Sequence, residues 1–573
     1  MKMNSFKIVT LILGLMLLTG ACEIFTEPGK DNQYDIDRVI HDPSFAEGIL
    51  ANGYLALPRS YSLDEEAATD DAVSNDNSSR FRRMATGEWS AKYNPFDIWA
   101  DSYIEISNLN YFLSIVDSVE WSWQSPLRNE LFIKKHKGEA LALRGYLYYR
   151  LLVRYGGIGA DNNLLGIPLV TDPIGVNDNW KLPRNTYQEC VDQINSDYNL
   201  AIALLPYIWE NKTTTDEESL AYNKVFGIQN ANRINGKIVI ALKSKLALHV
   251  ASPAFNNGSF DETKFANAAT ITGPLLVEKG GSAGFPTDIK IFDNDNDITN
   301  TDILWRSDHF TNNTLEGQNY PPSLFGNGRI NPTQNLVDAF PMKNGYPITN
   351  PSSGFSPASP FNNRDPRLAV FILYNGASFK SVKINTSVNS TTSDGLNKVP
   401  NYSTRTGYYL LKWLRSNINM DPAKPTTARH FYTHIRFTEL YLNYAEAANE
   451  AWGPDGDPNG YGFTARTIIK AIRKRAGITQ PDPYATSVSD KAAMRELIRN
   501  ERRLELCFEG FRFWDMRRWQ LDLTENAKGV SIDNNVYTTI DVENRAYPSH
   551  AYTCPIPNDE ILKYEGLIQN KGW

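Results

Sequence analysis

The segment from Met494 to Trp519 constrains the fold of this chain most, because it combines a helical repeat with a high density of charge. Residues on one predicted helix face recur at spacings of three and four: Met494, Leu497, Ile498, Glu501, Leu504 and Phe508. Acidic and basic side chains share the same turns with Phe511, Phe513, Trp514 and Trp519. Since an isolated buried charge is too costly to keep, this mixture predicts a partly buried network of ion pairs rather than a solvated helix. We expect the network to be structural and not catalytic.

A second predicted helix, covering about 437–448, supplies charged residues that can pair with one another or with the first segment. The predicted network has ten members: Arg436, Glu439, Glu446, Glu501, Arg502, Glu505, Glu509, Arg512, Asp515 and Arg518. Breaking a buried ion pair costs about 3–5 kcal/mol, so replacing Glu505 or Arg512 is expected to destabilise the fold.

The 498–519 segment resembles the C-terminal signature of the SusD/RagB family, the glycan-binding outer-membrane lipoproteins of Bacteroidetes-type bacteria. Five further blocks share the resemblance, in order along the chain: GEALALRGYLYY at 138–149, GIPLV at 166–170, RDPRL at 364–368, RFTELYLNYAEA at 436–447 and PIPNDEI at 555–561. Blocks spread over most of the chain make a chance similarity unlikely.

Helical periodicity predicts a mainly α fold. Helices are expected near 99–110, 140–155, 187–205, 233–250, 437–448, 463–476 and 494–508, with Gly156-Gly157 and Pro206 as stop signals. The resemblance implies an irregular helical-repeat scaffold of tetratricopeptide-like pairs, although strict tetratricopeptide signatures are absent.

The domain organisation follows from a change in composition. The stretch of about 281–429 is rich in Asn, Gly, Pro, Ser and Thr, which predicts loops and short strands. We expect one SusD-like domain at 38–573, with its helical scaffold at about 38–280 and 430–573, and with the loop-rich stretch standing on it as a binding excursion.

The first residues predict export. Lys2 and Lys7 flank the start of an apolar run at 8–18 that is too short to span a bilayer. Small residues precede Cys22, as in a lipoprotein cleavage box, so residues 1–21 are interpreted as a signal peptide and 22–37 as an acylated cysteine and flexible tether. Simple secretion is the alternative. The resemblance implies the outer membrane, facing the cell exterior.

Composition and motifs argue against several functions. The formal net charge is −7 and there is no basic cluster, which argues against nucleic-acid binding. No nucleophile, zinc, phosphate-loop or dinucleotide motif occurs, so no enzyme and no cofactor are predicted. Asp455, Asp457 and Asn459 are weak calcium candidates, because the twelfth position of that loop is Arg466 instead of glutamate. A solvated connection between helices is the preferred interpretation of these residues.

Glycan contacts are expected where flat aromatic rings and polar groups occur together. The resemblance implies that the N-terminal polar segment contributes to the glycan site, with Asp71, Arg82 and Trp89 as candidate contacts. The central excursion adds Trp305, Phe310 and Tyr320 as further candidates. Ordinary packing is the alternative for each of them.

The sequence therefore predicts a non-catalytic surface receptor for oligosaccharides or polysaccharides. The resemblance implies a partner, a TonB-dependent outer-membrane barrel of the SusC type. The alternatives are a peptide or protein receptor of the same fold and a polysaccharide hydrolase.

Overall fold

The structure, a computed structural model, describes residues 36–290, 292–293 and 300–573. The predicted signal peptide, Cys22 and almost all of the predicted tether lie outside the described residues. Within the described ranges, no helix combines the length and the apolar character that crossing a bilayer requires.

Ten helices of ten or more residues form the scaffold of the described chain. They are α1 (Pro43–Leu55), α2 (Trp99–Ile115), α3 (Pro126–Tyr155), α4 (Tyr187–Leu204), α5 (Glu217–Phe226), α6 (Gly236–Ala251), α7 (Glu262–Glu278), α8 (Phe437–Trp452), α9 (Ala465–Arg475) and α10 (Lys491–Leu506). Short helices lie at Ile36–His41, Arg80–Arg83, Thr314–Asn319, Gln334–Ala339, Pro366–Phe371, Pro483–Ser487, Arg512–Arg518 and Asn558–Ile561.

The helix ends follow local chemistry. Thr186 and Glu189 form a reciprocal capping box at the start of α4. Asp490 caps α10 by accepting a hydrogen bond from the Ala493 amide. Gly453 follows α8 with a positive φ of 81°, a conformation that glycine adopts at little cost.

The long helices pack mainly on their neighbours in the chain. α1 packs on α2, α2 on α3, α3 on α4, α4 on α6, α6 on α7, α7 on α8, and α8 on α9 and α10. A large hydrophobic core joins both halves of this scaffold, with Leu147, Leu242, Leu440 and Ile469 among its members. The predicted mainly α, tetratricopeptide-like scaffold is confirmed.

Short strands pair antiparallel in seven two-stranded sheets. The strands are β1 (Ala72–Ser74), β2 (Gly157–Ile158), β3 (Leu164–Leu165), β4 (Ile303–Arg306), β5 (Phe310–Asn312), β6 (Ile330–Pro332), β7 (Ile372–Leu373), β8 (Ser378–Phe379), β9 (Val382–Lys383), β10 (Tyr409–Leu410), β11 (Ala428–His430), β12 (Thr433–Arg436), β13 (Ala527–Asp533) and β14 (Val536–Glu543). The pairs are β1–β6, β7–β10, β5–β11, β4–β12, β13–β14, β2–β3 and β8–β9.

The central excursion carries a core of its own. Leu336, Phe340, Ile372 and Trp413 are buried together with Phe508, which follows α10. The β1–β6 and β4–β12 pairs attach the excursion to the N-terminal segment and to the start of α8. The excursion is therefore a packed layer on the scaffold and not a set of free surface loops.

Candidate functional site

The ionic network is centred on Glu446 of α8. Its carboxylate accepts hydrogen bonds from Arg518 Nη1 at 2.5 Å, Arg518 Nη2 at 2.7 Å and Trp519 Nε1 at 2.8 Å. Asp515 joins Arg518 to Arg502, with N–O distances of 2.8 and 2.7 Å. All five side chains are buried. Burial by itself would raise the pKa of Glu446, but the Arg518 guanidinium outweighs it and lowers this pKa to about 2.

Apart from the Arg436–Glu509 pair, the remaining members pair with residues outside the predicted set. Arg436 binds Glu509 and Asp302, Glu439 binds Lys245, Glu501 binds Arg367 and Arg473, Glu505 binds Arg367 and Arg475, Glu509 also binds Lys412, and Arg512 binds Asp70. Nine of the ten predicted members are buried, Arg512 is partly buried, and each of the ten forms at least one ion pair. The expected closure of the network among the ten members is wrong, because most of these ion pairs join a member to the N-terminal segment, the central excursion, α6 or α9.

A cavity of about 240 Å³ lies beside this network, and we call it the central cavity. Its walls come from the segment before β1, α3, α6, β12 and the chain after α10. Five aromatic side chains on these walls are partly exposed: Tyr61, Tyr149, Tyr432, Phe511 and Trp514. These rings come from four places in the chain and give the cavity an aromatic wall, which is suited to packing on a flat or apolar ligand face.

Charged groups stand between these rings. Glu65, Arg150, Arg154 and Lys245 all line the central cavity. Burial raises the pKa of Glu65 to about 7, against the opposing effect of Arg154 and Arg150. Lys245 is held by Glu439, with Nζ–Oε1 at 2.8 Å. The cavity therefore offers hydrogen-bonding groups of both signs within reach of the rings.

Two histidines on the cavity wall are uncharged near neutral pH. Burial, with a smaller effect of Arg518, lowers the pKa of His249 to about 3. Burial, with Arg150 and Lys245, lowers the pKa of His434 to about 3. Neither histidine changes its charge over the physiological pH range.

A second opening, which we call the side cleft, has a volume of about 420 Å³. It combines the rings of Tyr54, Trp305 and Phe310 with polar groups such as Asn232 and Asn312. Pro58, Ser60 and His434 line both the side cleft and the central cavity, so the two adjoin.

The structure brings two of the six predicted contact residues together. Trp305 and Phe310 both line the side cleft. Trp305 is only 3% exposed, and its ring lies 4.3 Å from the ring of His434. Phe310 is partly exposed, with its ring stacked on His430 at 5.7 Å. Phe310 thus has the more accessible ring of the two.

The other four predicted residues line neither the central cavity nor the side cleft. Asp71 is 0% exposed and is ion-paired with Arg503 at 2.6 Å. Trp89 is buried, and its indole Nε1 donates to Asn94. Tyr320 is buried, and its hydroxyl donates to the Arg415 carbonyl at 2.6 Å. Arg82 binds Glu543 at 2.8 Å. These four side chains bind other residues of the chain, so the structure does not bring the six candidate glycan contacts together in one site.

The weak calcium candidates are occupied by other groups. Arg466 binds both carboxylate oxygens of Asp455, at 2.7 and 2.8 Å. Asp457 accepts hydrogen bonds from the amides of Tyr461 and Gly462. Asn459 donates to Thr270 Oγ1. Within the part of the chain that the structure describes, no group of three or more His, Cys, Asp or Glu residues could hold a metal ion.

The aromatic residues of the central cavity were not singled out from the sequence as ligand contacts. Tyr149 ends the GEALALRGYLYY block, and Trp514 lies in the charge-dense segment, so both belonged to stretches assigned to structure. The available signal was the position of Tyr149, Arg150, Val153 and Arg154 on one face of α3, at spacings of one, three and four residues.

Two protein-family models match this chain. The model described as the SusD family matches residues 288–573, and the model described as starch-binding associating with outer membrane matches residues 45–225. A curated relative, SusD-like protein P25 of Formosa agariphila, is 26% identical over 248 residues, which are 39% of this chain and 41% of the relative. The match thus spans less than half of that relative.

Solved structures resemble this chain over nearly its whole length. A SusD-like protein from Bacteroides fragilis is 24% identical with a TM-score of 0.71, and the match covers 96% of this chain and 100% of that one. A laminarin-binding SusD-like protein and surface glycan-binding protein A from Bacteroides fluxus are each 18% identical, with TM-scores of 0.58 and 0.60. Each of these two matches covers 93% of this chain and 100% of the other. At these identities the likeness shows a common fold.

Proposed function

The chain belongs to the SusD family, and on that premise we propose that it is a non-catalytic, cell-surface glycan-binding lipoprotein. It captures oligosaccharides and delivers them to a TonB-dependent outer-membrane transporter of the SusC type. The family description names starch binding and association with the outer membrane, and two structural neighbours are named as glycan binders. These names support the ligand class.

The observation that carries the proposal is the composition of the central cavity. Five partly exposed aromatic rings surround it, and charged groups lie between them. Sugars are bound by stacking of their apolar ring faces on aromatic side chains, while polar groups bind their hydroxyls. The adjoining side cleft adds Phe310 and amide groups, which extends the same chemistry beyond one sugar unit.

The carboxylates of the central cavity support a binding role and not a hydrolytic one. A glycosidase needs an acid and a second carboxylate facing the same bond. Glu439 is paired with Lys245, Glu509 with Arg436 and Lys412, and Asp515 with Arg502 and Arg518. Among the carboxylates that line the cavity, Glu65 is left without an ion-pair partner in the described structure. One such carboxylate does not make a catalytic pair.

Delivery rests on the predicted lipid anchor at Cys22. Tethering the receptor next to a transporter makes ligand transfer a local step at high effective concentration. Individual affinities on the order of micromolar to millimolar are then sufficient.

A glycan screen with a paired peptide screen tests the ligand class. The purified protein is expected to bind a polysaccharide and to release no shortened product. Binding of peptides alone would favour a peptide receptor of the same fold, and shortened chains would show a hydrolase.

A variant locates the site. Trp514→Ala removes a partly exposed ring from the central cavity, and stacking on such rings contributes roughly 1 kcal/mol or more. We expect glycan affinity to fall by about tenfold. Trp123→Ala is the matched control, because Trp123 is 80% exposed and does not line the cavity. Equal loss in both variants, or no loss with Trp514→Ala, would exclude the central cavity as the site.

A further inference from the structure

The central cavity contains two guanidinium groups without an acidic partner. Among the described residues, neither Arg150 nor Arg154 has a carboxylate within ion-pair distance. Arg150 Nη1 donates to the Ala56 carbonyl at 3.3 Å. Arg154 donates to the carbonyls of Phe96 and Arg150, both at 3.2 Å. The other cations of the cavity wall, Lys245, Arg502 and Arg518, each bind a carboxylate, as described above.

The two guanidiniums also repel each other. Arg150 and Arg154 are four residues apart on α3, so they lie one helical turn apart on the same face. Burial lowers the pKa of Arg150, and Arg154 lowers it further. A pair of like charges in a partly buried site is destabilising unless an opposite charge joins it.

A carboxylate on the cavity wall, that of Glu65, compensates this charge only in part. Glu65 interacts electrostatically with both arginines but forms no ion pair with either. Burial raises the pKa of Glu65 to about 7, so near neutral pH this carboxyl group is protonated and uncharged in roughly half of the molecules. The central cavity therefore holds an excess of positive charge directly beside its aromatic rings.

We propose that the central cavity selects anionic saccharides, whose carboxylate or sulfate groups are bound by Arg150 and Arg154. This inference rests on the proposed glycan-binding function and names the ligand class of that site. Guanidinium groups bind oxyanions through paired, charge-assisted hydrogen bonds. The guanidinium of Arg154 lies 4.9 Å from the ring centre of Trp514. A sugar bound beside Trp514 thus places an acidic substituent next to Arg154, and Arg150 lies one helical turn away on the same wall of the cavity.

Matched ligand pairs test the proposal on the unmodified protein. Calorimetry compares a uronic-acid oligosaccharide with its carboxyl-reduced form, and a sulfated oligosaccharide with its desulfated form. At least one acidic member is expected to bind about tenfold more tightly than its neutral counterpart, and the difference is expected to shrink in about 1 M salt. The pair that shows the preference identifies the acidic group.

The outcomes separate the two proposals. Equal binding of acidic and neutral members overturns the anionic preference and leaves the glycan-binding function standing. Failure of every saccharide, acidic or neutral, overturns the glycan-binding function itself.

Variants then assign the preference to the arginines. Arg150→Gln is expected to reduce binding of the acidic member about tenfold, and Arg150→Lys, which keeps the charge, is expected to restore most of it. Lys134→Gln removes an exposed positive charge from the same helix, far from the cavity, and is expected to change nothing. A full preference in folded Arg150→Gln would overturn the assignment. If that variant does not fold, the ligand pairs on the unmodified protein still decide the proposal.

Discussion

Replacing Glu446 by glutamine tests the buried network at its centre. The amide keeps the size of the side chain but removes the charge that faces Arg518. Glu446 is 3% exposed and accepts three hydrogen bonds, two from Arg518 and one from Trp519. In the variant, Asp515 is the one acidic partner that remains for Arg518 among the described residues. Asp515 also forms an ion pair with Arg502.

The size of the effect follows from the pKa of Glu446. Its pKa falls from the ordinary value of 4.5 to about 2 on folding. One pKa unit corresponds to about 1.4 kcal/mol, so the charged form stabilises the fold by roughly 3 kcal/mol. Because the folded pKa is the lower one, this stabilisation is complete above about pH 4.5 and is lost as the pH falls through about 2. A chain of this size has an unfolding entropy near 1 kcal/mol per degree, so the melting temperature at pH 7 is expected to fall by about 3 °C.

Scanning calorimetry at pH 7 and at several lower pH values measures this prediction. The difference between Glu446→Gln and the unmodified protein is expected to narrow steadily below pH 4.5. Glu496→Gln is the matched control, since Glu496 has a 72% exposed side chain and an exposed pair costs under about 1 kcal/mol to remove. A Glu446→Gln melting curve that coincides with that of the control at pH 7 would refute the reasoning.

Three further outcomes are expected. Arg512→Ala removes the guanidinium that binds both oxygens of Asp70, and is expected to cost about 3 kcal/mol in urea unfolding; an unchanged midpoint would contradict burial of this pair. Gly145→Ala places a Cβ 2.8 Å from the buried Tyr198 ring, so the ring or the two helices must shift, at an expected cost of about 1–3 kcal/mol in the same assay; an unchanged midpoint would show that Tyr198 moves freely. Millimolar Ca²⁺ is expected to leave the melting temperature unchanged, because Arg466 holds both oxygens of Asp455; a rise with Ca²⁺ would revive the calcium loop.

The parts of the fold that could be predicted are those with a strong local signal. The start of α4 at Thr186 and the end of α3 before Gly156 follow from capping residues, and the periodic segment at α10 follows from its apolar face. The helix α7 was not predicted, and it contains Pro274 in its interior, where proline normally ends a helix.

The candidate site could be predicted far less well. The rings of Tyr61, Tyr149 and Trp514 line one cavity, although Tyr149 lies 88 residues after Tyr61 and Trp514 lies 365 residues after Tyr149 in the sequence. Exposure of a ring depends on which segments pack over it, and no local pattern reports this. The same limit applies to the network, where Arg367 and Glu505 pair across 138 residues.

The contacts of residues 66–72 join parts of the chain that are far apart in sequence, and we expect them to form late in folding. Asp70 binds Arg512, 442 residues later, and Ala68 accepts a hydrogen bond from Tyr547, 479 residues later. Closing a loop of that length costs about 5 kcal/mol in chain entropy, which is about 2 kcal/mol more than closing a loop of about 30 residues between neighbouring helices. The helical hairpins are therefore expected to assemble early, and this seam is expected to close last. A chain that ends before residue 503 is expected to form its N-terminal helices. Asp70 and Asp71 would then lack their partners Arg503 and Arg512, and this region is expected to be sensitive to proteases.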